Sequence, residues 1–131
     1  MSQVETIRAG VFDSPYSSLS EQLFDHFEQN YSYLPLVLVS ITFEFYKWRT
    51  GVDVSEINAI KAIEKIEQRP LLLMHCDNDP EILVKHSKKL FKAANQPKDQ
   101  WLAPCDVHGE LWQHHPQKSE ERVVTFFKNN L

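Results

Sequence analysis

The chain has 131 residues, of which 42% are hydrophobic and 24% charged, with a formal net charge of −4. This suffices for one globular domain, residues 1–131, burying roughly two-thirds of its unfolded surface. Acids and bases are interspersed, so no electrostatic footprint for nucleic acid or anionic membrane exists, and the longest apolar stretch, 34–45, contains Glu44 and falls short of the ~20 residues a bilayer demands.

At the amino terminus, MSQVETIRAG has no basic flank followed by an apolar segment, so no signal peptide is visible and the cytoplasm is the expected compartment. Ala9 to Phe12 reads as a short strand, stopped at Asp13-Ser14-Pro15 because the residue before proline is pushed out of the helical region. Ser18 with Glu21 is a capping-box pattern, and Leu19, Leu23, Phe24 and Phe27 follow at helical spacing to about Asn30. A second apolar segment runs from Pro35 to about Trp48, with Gly51 as its terminator. Asn58 caps a short helix whose stripe is Ile60, Ile63 and Ile66.

Pro70 to Met74 is apolar without alternation, the mark of a strand covered on both faces in a parallel sheet. Residues 82–95 read as a helix through Leu83, Val84, Leu90, Phe91 and Ala94, broken at Gln96-Pro97. Gln100 to Ala103 is a brief strand, residues 105–115 an irregular loop, and Pro116 opens a last helix with Val123, Val124, Phe126 and Phe127 as its buried stripe. Strands alternating with helices imply an α/β fold, a three-layer α/β/α arrangement of about three parallel strands joined by right-handed crossovers.

In open α/β sheets, ligands bind at the carboxyl edge of the strands. The apolar run Leu71 to Met74 drives into that edge as His75-Cys76-Asp77-Asn78-Asp79, and the next strand into Pro104-Cys105-Asp106-Val107-His108. These two segments, with His86-Ser87 between them, resemble the carboxy-terminal third of an α/β-hydrolase, whose seventh strand ends in His-Gly-x-x-Asp and whose eighth ends shortly before a histidine. VFDSPYSSL, residues 11–19, resembles that family's sixth strand and following loop, and FYKWRTGVDVSEINAIKAI, residues 45–63, resembles the excursion between strands six and seven in bacterial esterase-like and peptidase-like members.

The resemblance implies that Asp79 is the acid and His108 the base of a Ser-His-Asp triad. A serine hydroxyl attacks only when an imidazole takes its proton, and a carboxylate must hold that imidazole in the right tautomer. The family's nucleophile sits on a Gly-x-Ser-x-Gly elbow. With only Gly10, Gly51 and Gly109, this sequence contains no such elbow, so the isolated chain is expected to be inactive. Two departures from the family pattern flank the site: Cys76 and Cys105 replace glycines, and Ile82-Leu83 replaces Val-Pro.

Blander roles fit the remaining candidates. Ser14 and Ser17 read as turn and cap residues, His75 as a structural strand-end residue, His86 as a packed or hydrogen-bonded histidine, and His114-His115 with Glu110 and Trp112 as a solvated loop. Cys76, Asp79, Cys105 and His108 include usable zinc ligands, but no Cys-x-x-Cys spacing supports a metal. In a reducing cytoplasm the two cysteines are expected to be free thiols; a bridge is conceivable if their strands are adjacent.

The expected function is therefore that of a serine esterase or acyl hydrolase lacking its nucleophile, without metal or organic cofactor. Its expected partners are a small acyl or ester substrate and a complementary amino-terminal hydrolase chain. The alternative is a non-catalytic module or relic that self-associates through an open sheet edge at Val11 and Phe12, since an unpaired strand edge seeks a partner.

Overall fold

The computed structural model describes residues 7–131. Three strands, β1 (Gly10–Asp13), β2 (Leu71–Cys76) and β3 (Lys98–Ala103), form a parallel sheet in the order β1-β2-β3. The first crossover runs through α1 (Leu19–Tyr31), α2 (Val37–Thr50), a 3-10 turn (Val54–Glu56) and α3 (Ala59–Ile63). The second uses α4 (Lys85–Ala93), and β3 leads into α5 (Leu111–His114) and α6 (Pro116–Asn130).

Helix ends obey the local signals. The Ser18 side chain accepts from the Glu21 N–H, Asn58 accepts from the Lys61 N–H, and Gly51 takes the left-handed conformation (φ 76°) that closes α2. The capping box is half formed, because the Glu21 carboxylate turns instead to Ser17 and Lys89.

Element boundaries moved where side chains compete with the backbone. β1 is displaced to take in Asp13, and β3 reaches back to Lys98. Residues 82–84 are not helical: Asp79 accepts from the Glu81 and Ile82 N–H groups, which holds this segment as a turn and delays α4 to Lys85. The expected 105–115 loop contains α5, which coils to bury Leu111 completely. In α6, Phe126 is buried, but Val124 is 41% exposed and drops out of the predicted stripe.

Every residue of β2 is buried, and its two faces feed two cores. Leu72, Met74 and Cys76 pack with Trp101, Ala103, Leu111 and Phe126 on one side; Leu71 and Leu73 pack with Ile63, Ile66, Leu90 and Ala94 on the other. This is the three-layer α/β/α arrangement, and each fully buried leucine contributes roughly 1.5–3 kcal/mol. β1 donates to β2 through the Gly10 and Ser14 N–H groups, so alternation turns the Val11 and Asp13 N–H groups toward the other edge. α2 buries Val39 but leaves Val37, Ile41, Phe45 and Trp48 exposed. Among the described residues, no helix is long and apolar enough to cross a membrane.

Candidate active site

β2 and β3 run in register, Met74 opposite Trp101 and Cys76 opposite Ala103, so the loops that follow leave the sheet side by side. They are cross-tied. The Asp77 N–H donates to the Ala103 carbonyl (2.9 Å) and the Asn78 N–H to the Cys105 carbonyl (3.1 Å), while Asp77 Oδ1 accepts from the Cys105 N–H (3.3 Å).

Cys76 and Cys105 are joined by a disulfide, with their Cα atoms 4.9 Å apart. The expectation of free thiols is corrected here, and the reason is geometric. Cys76 ends β2 opposite Ala103, and the cross-ties of Asp77 and Asn78 to Ala103 and Cys105 draw the chain back beside β2, which brings the two sulfurs within bonding reach. The bridge also removes both sulfurs as metal ligands, and it makes the two departures from the glycine pattern a covalent tie between the loops that carry Asp79 and His108.

Asp79 is 3% exposed, and each of its oxygens is occupied. Oδ1 accepts from the Glu81 and Ile82 N–H groups (2.9 Å each), and Oδ2 lies 2.9 Å from His108 Nδ1. A carboxylate only accepts, so Nδ1 carries the proton and Nε2 is left as the basic nitrogen. The His108 side chain remains 30% exposed, and Gly109 behind it takes a left-handed φ of 68°. The structure thus brings together the two residues singled out from sequence.

Two further groups sit at this end of the sheet. His75 is fully buried, its Nε2 2.7 Å from the Ile82 carbonyl and 3.5 Å from Asp79 Oδ2. Asp13 ends β1, and its carboxyl lies above the usual carboxylate range: partial burial raises it, against a hydrogen bond from Ser14 and the nearby His75 and His108 imidazoles. Alongside β1 runs an open groove of ≈ 770 Å³, lined by Val11, Phe12, Asp13, Ile57 and Ala59 and reaching Ile82.

The fold that carries these residues is similar to that of solved hydrolases. The Pyrococcus furiosus esterase Pf2001 superposes with a TM-score of 0.69 at 25% identity in one crystal form, over 98% of this chain and 46% of that one. A second crystal form of it gives 0.68 at 23% identity, over 98% and 47%. The chain has the fold of the carboxy-terminal part of an α/β-hydrolase. MGS-MChE2, an α/β-hydrolase from a lagoon-sediment metagenome, superposes at 0.58 with 15% identity over 95% of this chain and 52% of that one. In sequence, the chain is 26% identical over 119 residues to the uncharacterized protein YqkD of Bacillus subtilis strain 168, covering 91% of this chain and 39% of that protein. No protein-family profile matches. The chain therefore spans about half the length of these solved hydrolases and less of YqkD.

Away from the Asp79–His108 pair, the structure assembles a constellation that sequence reasoning missed. Ser17 Oγ lies 2.6 Å from His86 Nδ1, and His86 Nε2 lies 2.9 Å from Asp25 Oδ2. Asp25 also pairs with Lys85 (2.6 Å), and Glu21, which accepts from Ser17 Oγ at 2.9 Å, pairs with Lys89. The residue types match a catalytic triad, but Ser17 and His86 are fully buried, and the Glu21 carboxylate would repel charge developing on Oγ. Burial pushes the His86 imidazole below its ordinary value, and the Ser17 N–H donates to its Nδ1 (3.3 Å). Glu21, Asp25 and His86 also cluster closely enough to suggest a cation site, but Lys85 and Lys89 already neutralise the carboxylates. The cluster ties α1 to α4. Asp25 lacked any signal, being a charged residue on a helix whose burial depends on a partner 61 residues away.

His115 departs from the solvated-loop reading, since its ring packs edge-on against Trp101 and its Nε2 lies 3.3 Å from the Pro104 carbonyl.

Proposed function

We propose that Asp79 and His108 are the acid and base of a serine-hydrolase site acting on carboxylic esters or related acyl compounds, with the nucleophile supplied from outside these 131 residues. One observation carries this reading: the buried Asp79 carboxylate on His108 Nδ1, at the carboxyl edge of adjacent parallel strands. In that reading, His108 Nε2 accepts the proton of an attacking serine and returns it to the departing alcohol or amine. Asp79 fixes the tautomer and stabilises the imidazolium that forms in between. The chemistry requires neither metal nor organic cofactor.

The complementary element is an amino-terminal hydrolase segment carrying the elbow. Among the described residues no strand pairs with the outer edge of β1, and the groove beside it reaches Ile82, whose N–H holds Asp79, which supports a strand docking there. A fluorophosphonate probe is expected to leave every serine of the purified chain unlabelled; specific labelling abolished by His108→Ala would overturn the missing-nucleophile reading.

The second reading, a non-catalytic module that self-associates, is favoured by the apolar residues α2 leaves exposed. Gel filtration separates the two: a stable dimer without esterase activity supports the module, and a monodisperse monomer counts against it.

A further inference from the structure

His75 is buried beside the candidate pair, and it pays a visible penalty for being there. Its Nδ1 has no hydrogen-bond partner among the described residues, although the side chain is fully buried. Burying an unpartnered imidazole nitrogen is unfavourable, so an apolar residue in a β2 otherwise composed of Leu, Met and Cys is the simpler solution. What the imidazole offers in return is its other nitrogen. Nε2 lies 2.7 Å from the Ile82 carbonyl, an oxygen that can only accept, so Nε2 carries the proton.

That bond closes a ring of contacts. The Ile82 N–H donates to Asp79 Oδ1, the Ile82 carbonyl accepts from His75, and the same His75 N–H lies 3.5 Å from Asp79 Oδ2, the oxygen that receives His108. Strand β2 therefore reaches the acid in two ways: along the chain through residues 76–78, and across the turn through His75. From this geometry we propose that His75 is a positioning residue, which acts through Ile82 and Asp79 to hold the Asp79–His108 hydrogen bond. The inference rests on the hydrolase reading for its purpose, but its test does not depend on catalysis.

The test follows the His108 Nδ1–H resonance by NMR in the ¹⁵N-histidine-labelled 131-residue chain. His75→Phe keeps a ring of similar bulk and removes the donor. It should accelerate exchange of that proton with solvent about tenfold or broaden it beyond detection. His75→Gln, whose amide N–H reaches the position of Nε2, should restore slow exchange. A purely packing role for His75 predicts the reverse order, with Phe tolerated and Gln harmful, and unchanged exchange in His75→Phe overturns the proposal. Should both variants fail to fold, the wild-type chain decides: its His75 ¹⁵N shifts must report a protonated Nε2 and a bare Nδ1, and the opposite tautomer overturns the proposal. Failure of ester hydrolysis in a reconstituted enzyme would remove the hydrolase reading and leave this coupling intact, so the two failures are distinguishable.

Discussion

Replacing both cysteines, as Cys76→Ala with Cys105→Ala, measures how much the bridge between the two site loops contributes. The bridge closes a loop with a sequence separation of 29. In the chain-entropy description, a loop of that length removes about 12 cal/mol/K from the unfolded ensemble, or about 3.6 kcal/mol at 25 °C. Both residues also lie in the core, so losing their sulfurs adds to the cost rather than offsetting it. Urea unfolding followed by far-UV circular dichroism should place the variant about 3–4 kcal/mol below the oxidised wild type, a midpoint shift of about 2 M. The variant should be indifferent to a phosphine reductant, whereas the wild type should fall toward it. A variant within about 0.5 kcal/mol of the oxidised wild type, or a wild type with two titratable thiols under non-reducing conditions, would refute the reasoning.

Two other perturbations separate the contributions of the site and of the α1–α4 tie. Asp79→Ala strips the acceptor from the Glu81 and Ile82 N–H groups and from His108, and should cost about 2–4 kcal/mol by denaturant unfolding, while Asp79→Asn, which keeps a carbonyl oxygen for the turn, should cost less; equal costs would show that the turn does not depend on that acceptor. His86 gives a pH dependence of definite sign. Its imidazole lies below the ordinary 6.5, chiefly through burial, so from pH 6.5 downward the unfolded chain binds a proton that the folded chain does not. Stability should therefore fall on acidification below that pH, by up to about 1.4 kcal/mol per pH unit, until the lower folded-state value is passed. His86→Gln should lack this component, and a wild-type minus variant difference that stays flat from pH 7.5 to 5.5, all values on the order of the histidine range, would contradict it.

The sheet was legible because its signals are local and strong. An unbroken apolar run from Leu71 to Met74 has few other uses, and Ser18, Asn58 and Gly51 act on their immediate neighbours. Asp79 and His108 were legible through the resemblance of their segments to a hydrolase pattern, and the parallel register of β2 and β3 then brings them together. What stayed hidden depends on distant partners. The helix start at Lys85 is set by a side chain at Asp79, and the burial of Asp25 depends on His86 and Lys85. The pairing of Cys76 with Cys105 stays hidden too, because a reducing compartment favours free thiols and says nothing of where the two residues lie. The bridge depends on adjacent strands together with the Asp77 and Asn78 cross-ties, which bring Cys105, two residues past β3, beside Cys76.

In the proposed function, Asp79 and His108 form a competent acid–base pair awaiting a nucleophile. The most direct measurement is p-nitrophenyl ester hydrolysis by a chimera in which this chain replaces the matching carboxy-terminal part of the Pyrococcus esterase, whose own amino-terminal part is retained. In this reading the chimera should hydrolyse the ester, with activity abolished by His108→Ala and strongly reduced by Asp79→Asn. A folded chimera that does not hydrolyse the ester, or that hydrolyses it equally well after His108→Ala, would contradict it.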